Sequence, residues 1–111
     1  MIYHITPVPK PRMTNSDKWR KRPCVLRYRA FREEVQLKIG ALPLNPFHVT
    51  FIIKMPKSRN MEGIPHRRKP DIDNLLKALF DAIYKDDSHI DDVRATKVWG
   101  KEAAIKIEEI G

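Results

Sequence analysis

Tyr28, Phe31, Val35 and Ile39 recur at spacings of three and four residues, the period of one face of a helix. That spacing predicts a helix over about 24–39, with Gly40 as the residue just past its end. A second apolar stripe, Leu75, Leu76, Leu79, Phe80 and Ile83, predicts a helix over about 73–84. Asp71 or Asp73 can cap its start, because a carboxylate accepts the unpaired first-turn N–H groups. Between these helices Phe47, Val49, Phe51 and Ile53 alternate with His48, Thr50, Ile52 and Lys54, the period of a strand with one apolar face. Residues 2–8, rich in β-branched and aromatic side chains, predict a short first strand. Residues 89–99 and 103–110 predict a closing hairpin that turns at Gly100, Lys101 and Glu102. The order is β-α-β-α-β-β: a small single-domain α+β fold over residues 1–111, with two helices packed on one mixed sheet.

Length and composition bound this reading. A chain of 111 residues buries only a modest core, so dimerisation is an attractive source of further stability. Hydrophobic content of 41% and charged content of 32% fit a globular protein rather than a disordered one. No run of about 18 apolar residues suggests a membrane span, and the N-terminus lacks the apolar core of a signal peptide. The lone Cys24 has no partner for an internal disulfide; it is expected as a small buried hydrophobe in a cytoplasmic protein.

Charge adds the chemistry. The net charge of +8 and pI near 9.8 favour an anionic partner. The cations are grouped: Lys10, Arg12, Lys18, Arg20, Lys21 and Arg22 lie in the proline-bracketed segment 9–23, beside Asp17. Lys57, Arg59, Arg67, Arg68 and Lys69 lie in segment 56–69, where Gly63 and Pro65 predict a mobile basic loop. Seven of the eight aspartates fall instead between Asp71 and Asp92, a stretch whose only cations are Lys77 and Lys85. Like charges so concentrated raise the free energy of the folded state unless a cation or solvent relieves them. Short carboxylates in a basic surround suggest a Mg²⁺ site acting on a phosphate polymer.

Asp71 and Asp73 converge on one face if the segment is extended, or flank the first turn at a strand-to-helix junction. Lys77 lies one helical turn beyond Asp73, and Asp81 continues that row as a pairing partner for Lys77. Taken alone, an Asp-x-Asp at a helix start is more often a cap with a surface ion pair than a metal site. An EF-hand is disfavoured, since the run lacks its alternating ligands, central glycine and terminal glutamate.

The longer pattern narrows the choice. Asp71-Ile72-Asp73-Asn74-Leu75-Leu76-Lys77, then Phe80-Asp81-Ala82-Ile83, then Asp86-Asp87-Ser88-His89-Ile90 resembles the RusA family of Holliday-junction resolvases. Pro9-Lys10-Pro11-Arg12-Met13-Thr14 with Asp17-Lys18-Trp19 is similar to the basic motif of its phage branch. The resemblance implies a homodimeric endonuclease, dependent on Mg²⁺ or Mn²⁺, that nicks four-way DNA junctions symmetrically in recombination and repair. It implies a bacterial or phage-infected cytoplasm as the setting. It further implies Asp71, Asp73 and Asp87 as metal-binding catalytic acids and Lys77 as the catalytic lysine. The connection Tyr84-Lys85 is shorter than in familiar members, and His89 stands where glutamine is usual. Asp86, Asp91 and Asp92 stay open as replacements for Asp87.

Other residues carry weaker signals. Trp19, between Lys18 and Arg20, either stacks on an unpaired base with its neighbouring cations or anchors the loop. Trp99 is expected in the core or an interface, and His4, His48 and His66 lack zinc-site spacing. Two other functions compete: a non-catalytic basic nucleic-acid-binding protein, and a nuclease for other branched DNA or for RNA.

Overall fold

The computed structural model describes residues 1–11, 22–43, 46–84 and 90–110. Its elements run β1 (Ile2–Tyr3), α1 (Pro23–Lys38), β2 (Phe47–Lys54), α2 (Ile72–Ile83), β3 (Val93–Gly100) and β4 (Ala104–Glu109). The predicted order and both helices are therefore present. α1 begins with Pro23, whose fixed φ and missing N–H suit the first helical turn. It ends at Gly40, where a φ of +73° lets the Gly40 N–H reach the Val35 carbonyl at 3.0 Å.

Four strands form one mixed sheet in the order β1-β4-β2-β3. β2 and β3 are parallel neighbours joined through α2, and β4 runs antiparallel to β2 on its other edge. The predicted closing hairpin is thus corrected: β3 and β4 flank β2 instead of pairing with each other. A three-residue link is long enough for this. Gly100 to Ala104 spans up to about 13 Å, against roughly 10 Å across two strand spacings.

Two predicted strands are also shorter than expected. β1 stops at Tyr3 because the Ile5 N–H turns back onto the Tyr3 carbonyl at 2.8 Å, carrying Ile5 into the core; Pro7 then offers no donor. β3 starts at Val93, with Ile90, Asp91 and Asp92 ahead of it.

The core lies between the helices and one face of the sheet. Phe47, Val49 and Phe51 of β2 and Ile105 and Ile107 of β4 meet Tyr28, Phe31 and Val35 of α1. From α2 come Leu75, Ala78, Leu79 and Ala82. The opposite sheet face carries His48 and Thr96, joined at 2.7 Å between Nε2 and Oγ1. Cys24 is only partly buried, less enclosed than expected.

Leu79 is fully buried whereas Leu37 is 87% exposed, so the two report on packing alone. Leu79→Ala is expected to cost about 2–5 kcal/mol in urea unfolding. Leu37→Ala should stay within about 0.5 kcal/mol of the parent.

Candidate active site

The approach to α2 is built on the free edge of β3. Residues 61–66 lie along it: the Gly63 N–H donates to the Trp99 carbonyl at 2.9 Å, Trp99 N–H to Ile64 at 3.0 Å, and His66 N–H to Lys97 at 2.9 Å. Pro65 bridges Val98 in the antiparallel sense. Gly63 supports the turn with a φ of +80°, a conformation that side chains resist. The expected mobile loop is therefore corrected over this stretch, because an edge strand has unpaired N–H and C=O groups that the returning chain satisfies.

His66 is buried and packs on Trp99 with ring centroids 4.3 Å apart, while its Nδ1 has no partner among the described residues. Burial lowers its pKa, and the charges of Lys97 and Arg68 act in the same direction. Lys97 does the decisive anchoring. Its ammonium donates to the carbonyls of Arg68 and Pro70, both at 2.6 Å, and so holds the backbone immediately before Asp71. The Lys69–Pro70 peptide bond is cis. Sequence reading missed Lys97. The available signal was its place among Val93, Ala95 and Trp99, the strand positions in register with the apolar face of β2.

Asp71 occupies the N-cap of α2 and Asp73 its first turn, yet neither carboxylate is used as a cap. The Asp71 carbonyl, not its side chain, receives the Leu75 N–H at 3.2 Å. Asp71, Asp73 and Lys77 are exposed, and among the described residues none has a hydrogen-bond or ion-pair partner. The expected Lys77–Asp81 pairing is corrected. Asp81 instead binds the Lys10 ammonium at 2.6 Å and accepts the Tyr28 hydroxyl at 2.9 Å. Burial alone would raise the Asp81 pKa, but these two donors, with the charges of Lys10 and Arg32, bring it below the usual value. Tyr28 is pushed up, first by burial and then by the Asp81 carboxylate. Lys10 also donates its N–H to the Asn74 carbonyl at 3.4 Å, so segment 7–11 lies along α2.

The described acids after α2, Asp91 and Asp92, sit elsewhere. Twelve residues of α2, about 18 Å, separate Asp71 from Tyr84. Asp91 and Asp92 are exposed and precede Val93, which pairs with Phe47 at the start of β2. Asp71 instead borders Lys54 at the end of β2. Within one chain, then, Asp91 and Asp92 do not join the Asp71–Asp73 pair, and the described residues contain no group of three metal-ligating side chains. Asp86 and Asp87 lie outside the described residues, as do Arg12, Lys18, Trp19, Arg20 and Lys21. Of the other candidate DNA contacts, Arg22, Lys57, Arg59, Arg67, Arg68 and Lys69 are exposed, while Lys10 is engaged with Asp81.

A mixed sheet that presents an unspent carboxylate pair at a helix start, bordered by exposed cations, suits a phosphodiester hydrolase. The family model described as Endodeoxyribonuclease RusA matches residues 4–109. The crossover junction endodeoxyribonuclease rusA of Enterobacteria phage HK97 is 32% identical over 88 residues, which is 72% of this chain and 70% of that protein. The chain belongs to the RusA family of endodeoxyribonucleases. No helix among the described residues is long and apolar enough to cross a membrane.

The burial of His66 gives a pH test. Its folded pKa lies below the ordinary 6.5, so below that pH the unfolded chain binds the proton more readily. This contribution to stability is full above about pH 6.5 and declines as the pH falls toward the folded value. Denaturant midpoints between about pH 8 and 5 should show that decline, and His66→Phe should flatten it.

Proposed function

We propose that this protein is a metal-dependent endonuclease that resolves four-way DNA junctions by paired, symmetric nicking. The observation that carries the reading is that Asp71, Asp73 and Lys77 share the exposed start of α2 with no side-chain partner among the described residues. Their donor chemistry fits a divalent ion: two hard carboxylate oxygens suit Mg²⁺, with Mn²⁺ as a substitute, since Mg²⁺ needs few protein ligands. When bound, such an ion supplies Lewis-acid charge to the phosphoryl oxygens and eases deprotonation of the attacking water.

The chain's own residues do the rest. Asp71 and Asp73 would hold the ion at a helix start braced by the Lys97–Pro70 contact. Lys77, one turn along, places a positive charge where the pentavalent phosphoryl group accumulates negative charge. Lys57, Arg59, Arg67, Arg68 and Lys69 contact phosphates along the DNA arms, which gives affinity without reading sequence. Arg22 adds to that surface, and Arg12, Lys18, Arg20 and Lys21, with Trp19 as a base-stacking side chain, are further contacts proposed from the sequence.

Asp73→Asn tests the catalytic assignment. Cleavage of a labelled four-way junction should be lost at saturating Mg²⁺, while binding of the junction persists or tightens because a carboxylate charge facing phosphate is gone. Turnover near that of the parent would remove Asp73 from the site.

Two cuts of equal geometry call for two sites related by a two-fold axis, hence a homodimer. The length of α2 favours a shared site, in which the third acid, Asp87, reaches the Asp71–Asp73 pair from the other subunit. Asp73→Asn and Asp87→Asn proteins, each inactive alone, should then recover single-strand nicking of a cruciform plasmid when mixed, because one site of the heterodimer is intact. Absence of recovery despite demonstrated subunit exchange would return the third acid to its own chain, and an active Asp87→Asn homodimer would exclude Asp87.

A further inference from the structure

Beside Asp71 opens a predominantly apolar groove of about 610 Å³ that the proposed chemistry does not use. This size falls within the roughly 300–1,000 Å³ of sites that take small molecules or parts of larger ones. Pro7, Pro9, Pro70 and Ile53 line it, together with Ala103 of the β3–β4 link. Three lysines, Lys10, Lys54 and Lys69, stand around it, and Asn74 lines it one turn into α2.

We infer that this groove receives one unstacked nucleobase of the DNA strand next to the cleaved phosphodiester. The inference rests on reading Asp71 and Asp73 as the hydrolytic centre. The occupant follows from the mixture of surfaces. The proline and aliphatic lining suits a planar, uncharged ring, while Lys54 and Lys69 suit the phosphates on either side of it; Lys10 is held by Asp81. An acidic peptide would satisfy the lysines but bring further negative charge against the Asp71 carboxylate. A neutral base tethered to phosphates meets both conditions. Asn74 supplies a side-chain amide, donor and acceptor together, of the kind that discriminates base edges.

Position supports the same occupant. Asp71 belongs both to the carboxylate pair and to the groove lining, so a strand whose phosphate lies at the pair has a neighbouring nucleoside at the groove mouth. Bases at a branch point are less firmly stacked than those within a duplex, which lowers the cost of turning one out. Insertion would hold the strand in register while Lys77 faces the phosphate.

The test uses the full-length protein and synthetic four-way junctions carrying 2-aminopurine at successive positions around the cut. Without divalent metal, one position flanking the cleaved bond should brighten severalfold on binding, the signature of an unstacked base. Ala103→Phe adds a ring to the groove lining and should abolish that brightening and slow cleavage by about tenfold or more. An abasic nucleotide at that position should restore cleavage by Ala103→Phe, since no ring then needs the space. Asn74→Ala leaves the groove open and should level the rates among the four bases there; it carries the test if Ala103→Phe does not fold. Wild-type cleavage with no bright position, or an Ala103→Phe protein that folds and cuts like the parent, overturns the groove assignment. A wild-type protein that cuts no junction overturns the parent reading, and the groove assignment with it.

Discussion

Leu75, Ala78, Leu79 and Ala82 of α2 are buried against the rest of the core, and that packing fixes where every other side chain of the helix points. With this stripe inward, Asp73 and Lys77 are exposed and Asp81 lies at the rim, where Lys10 and Tyr28 meet it. Magnitudes show which interaction governs. Burying each leucine is worth about 1.5–3 kcal/mol, whereas an exposed ion pair such as Lys10–Asp81 contributes roughly 0–1 kcal/mol. Packing therefore aims the helix, and the ion pair settles the adjoining segment onto it.

The start of α2 needs a second constraint, because a helix seated on its apolar stripe can still fray at its first turn. Lys97 provides it. An ammonium on the helix-facing side of a sheet must find acceptors to offset its lost hydration, and here it finds two backbone carbonyls in the four residues before Asp71. The pairing of residues 61–66 with β3 delivers those carbonyls to it. The carboxylate pair thus projects from a braced backbone, as a preorganised ligand site requires.

The helices and β2 were legible because their apolar residues repeat at 3.6 and 2 residues, and such periods survive any tertiary arrangement. The candidate pair was legible for a related reason: Asp71, Asp73 and Lys77 lie within two turns, so local geometry relates them. What escaped depends on distant partners. The short link from Gly100 to Ala104 has the length of a hairpin turn, and only the β2-α2-β3 crossover, which puts β3 beside β2, forces it to pass over the end of β2. Asp81 has Lys77 one turn away in sequence but meets Lys10 in space. Lys97 finds its partners in the carbonyls of Arg68 and Pro70, nearly thirty residues earlier, which no local pattern announces.

The acids after α2 show the same limit from another side. Sequence places several aspartates after α2, but the helix carries the chain to the far end of the sheet before Asp91 and Asp92 appear. Asp91 and Asp92, which follow the pair closely in sequence, are therefore divided from it in space within one chain.

The central claim is that the start of α2 is a divalent-metal site. Crystals grown with Mn²⁺ and measured at its absorption edge test this most directly. The account predicts an anomalous peak in contact with the carboxylates of both Asp71 and Asp73, on the face that carries Lys77. Saturating Mn²⁺ with no peak there, or with a peak confined to other acids, would contradict it.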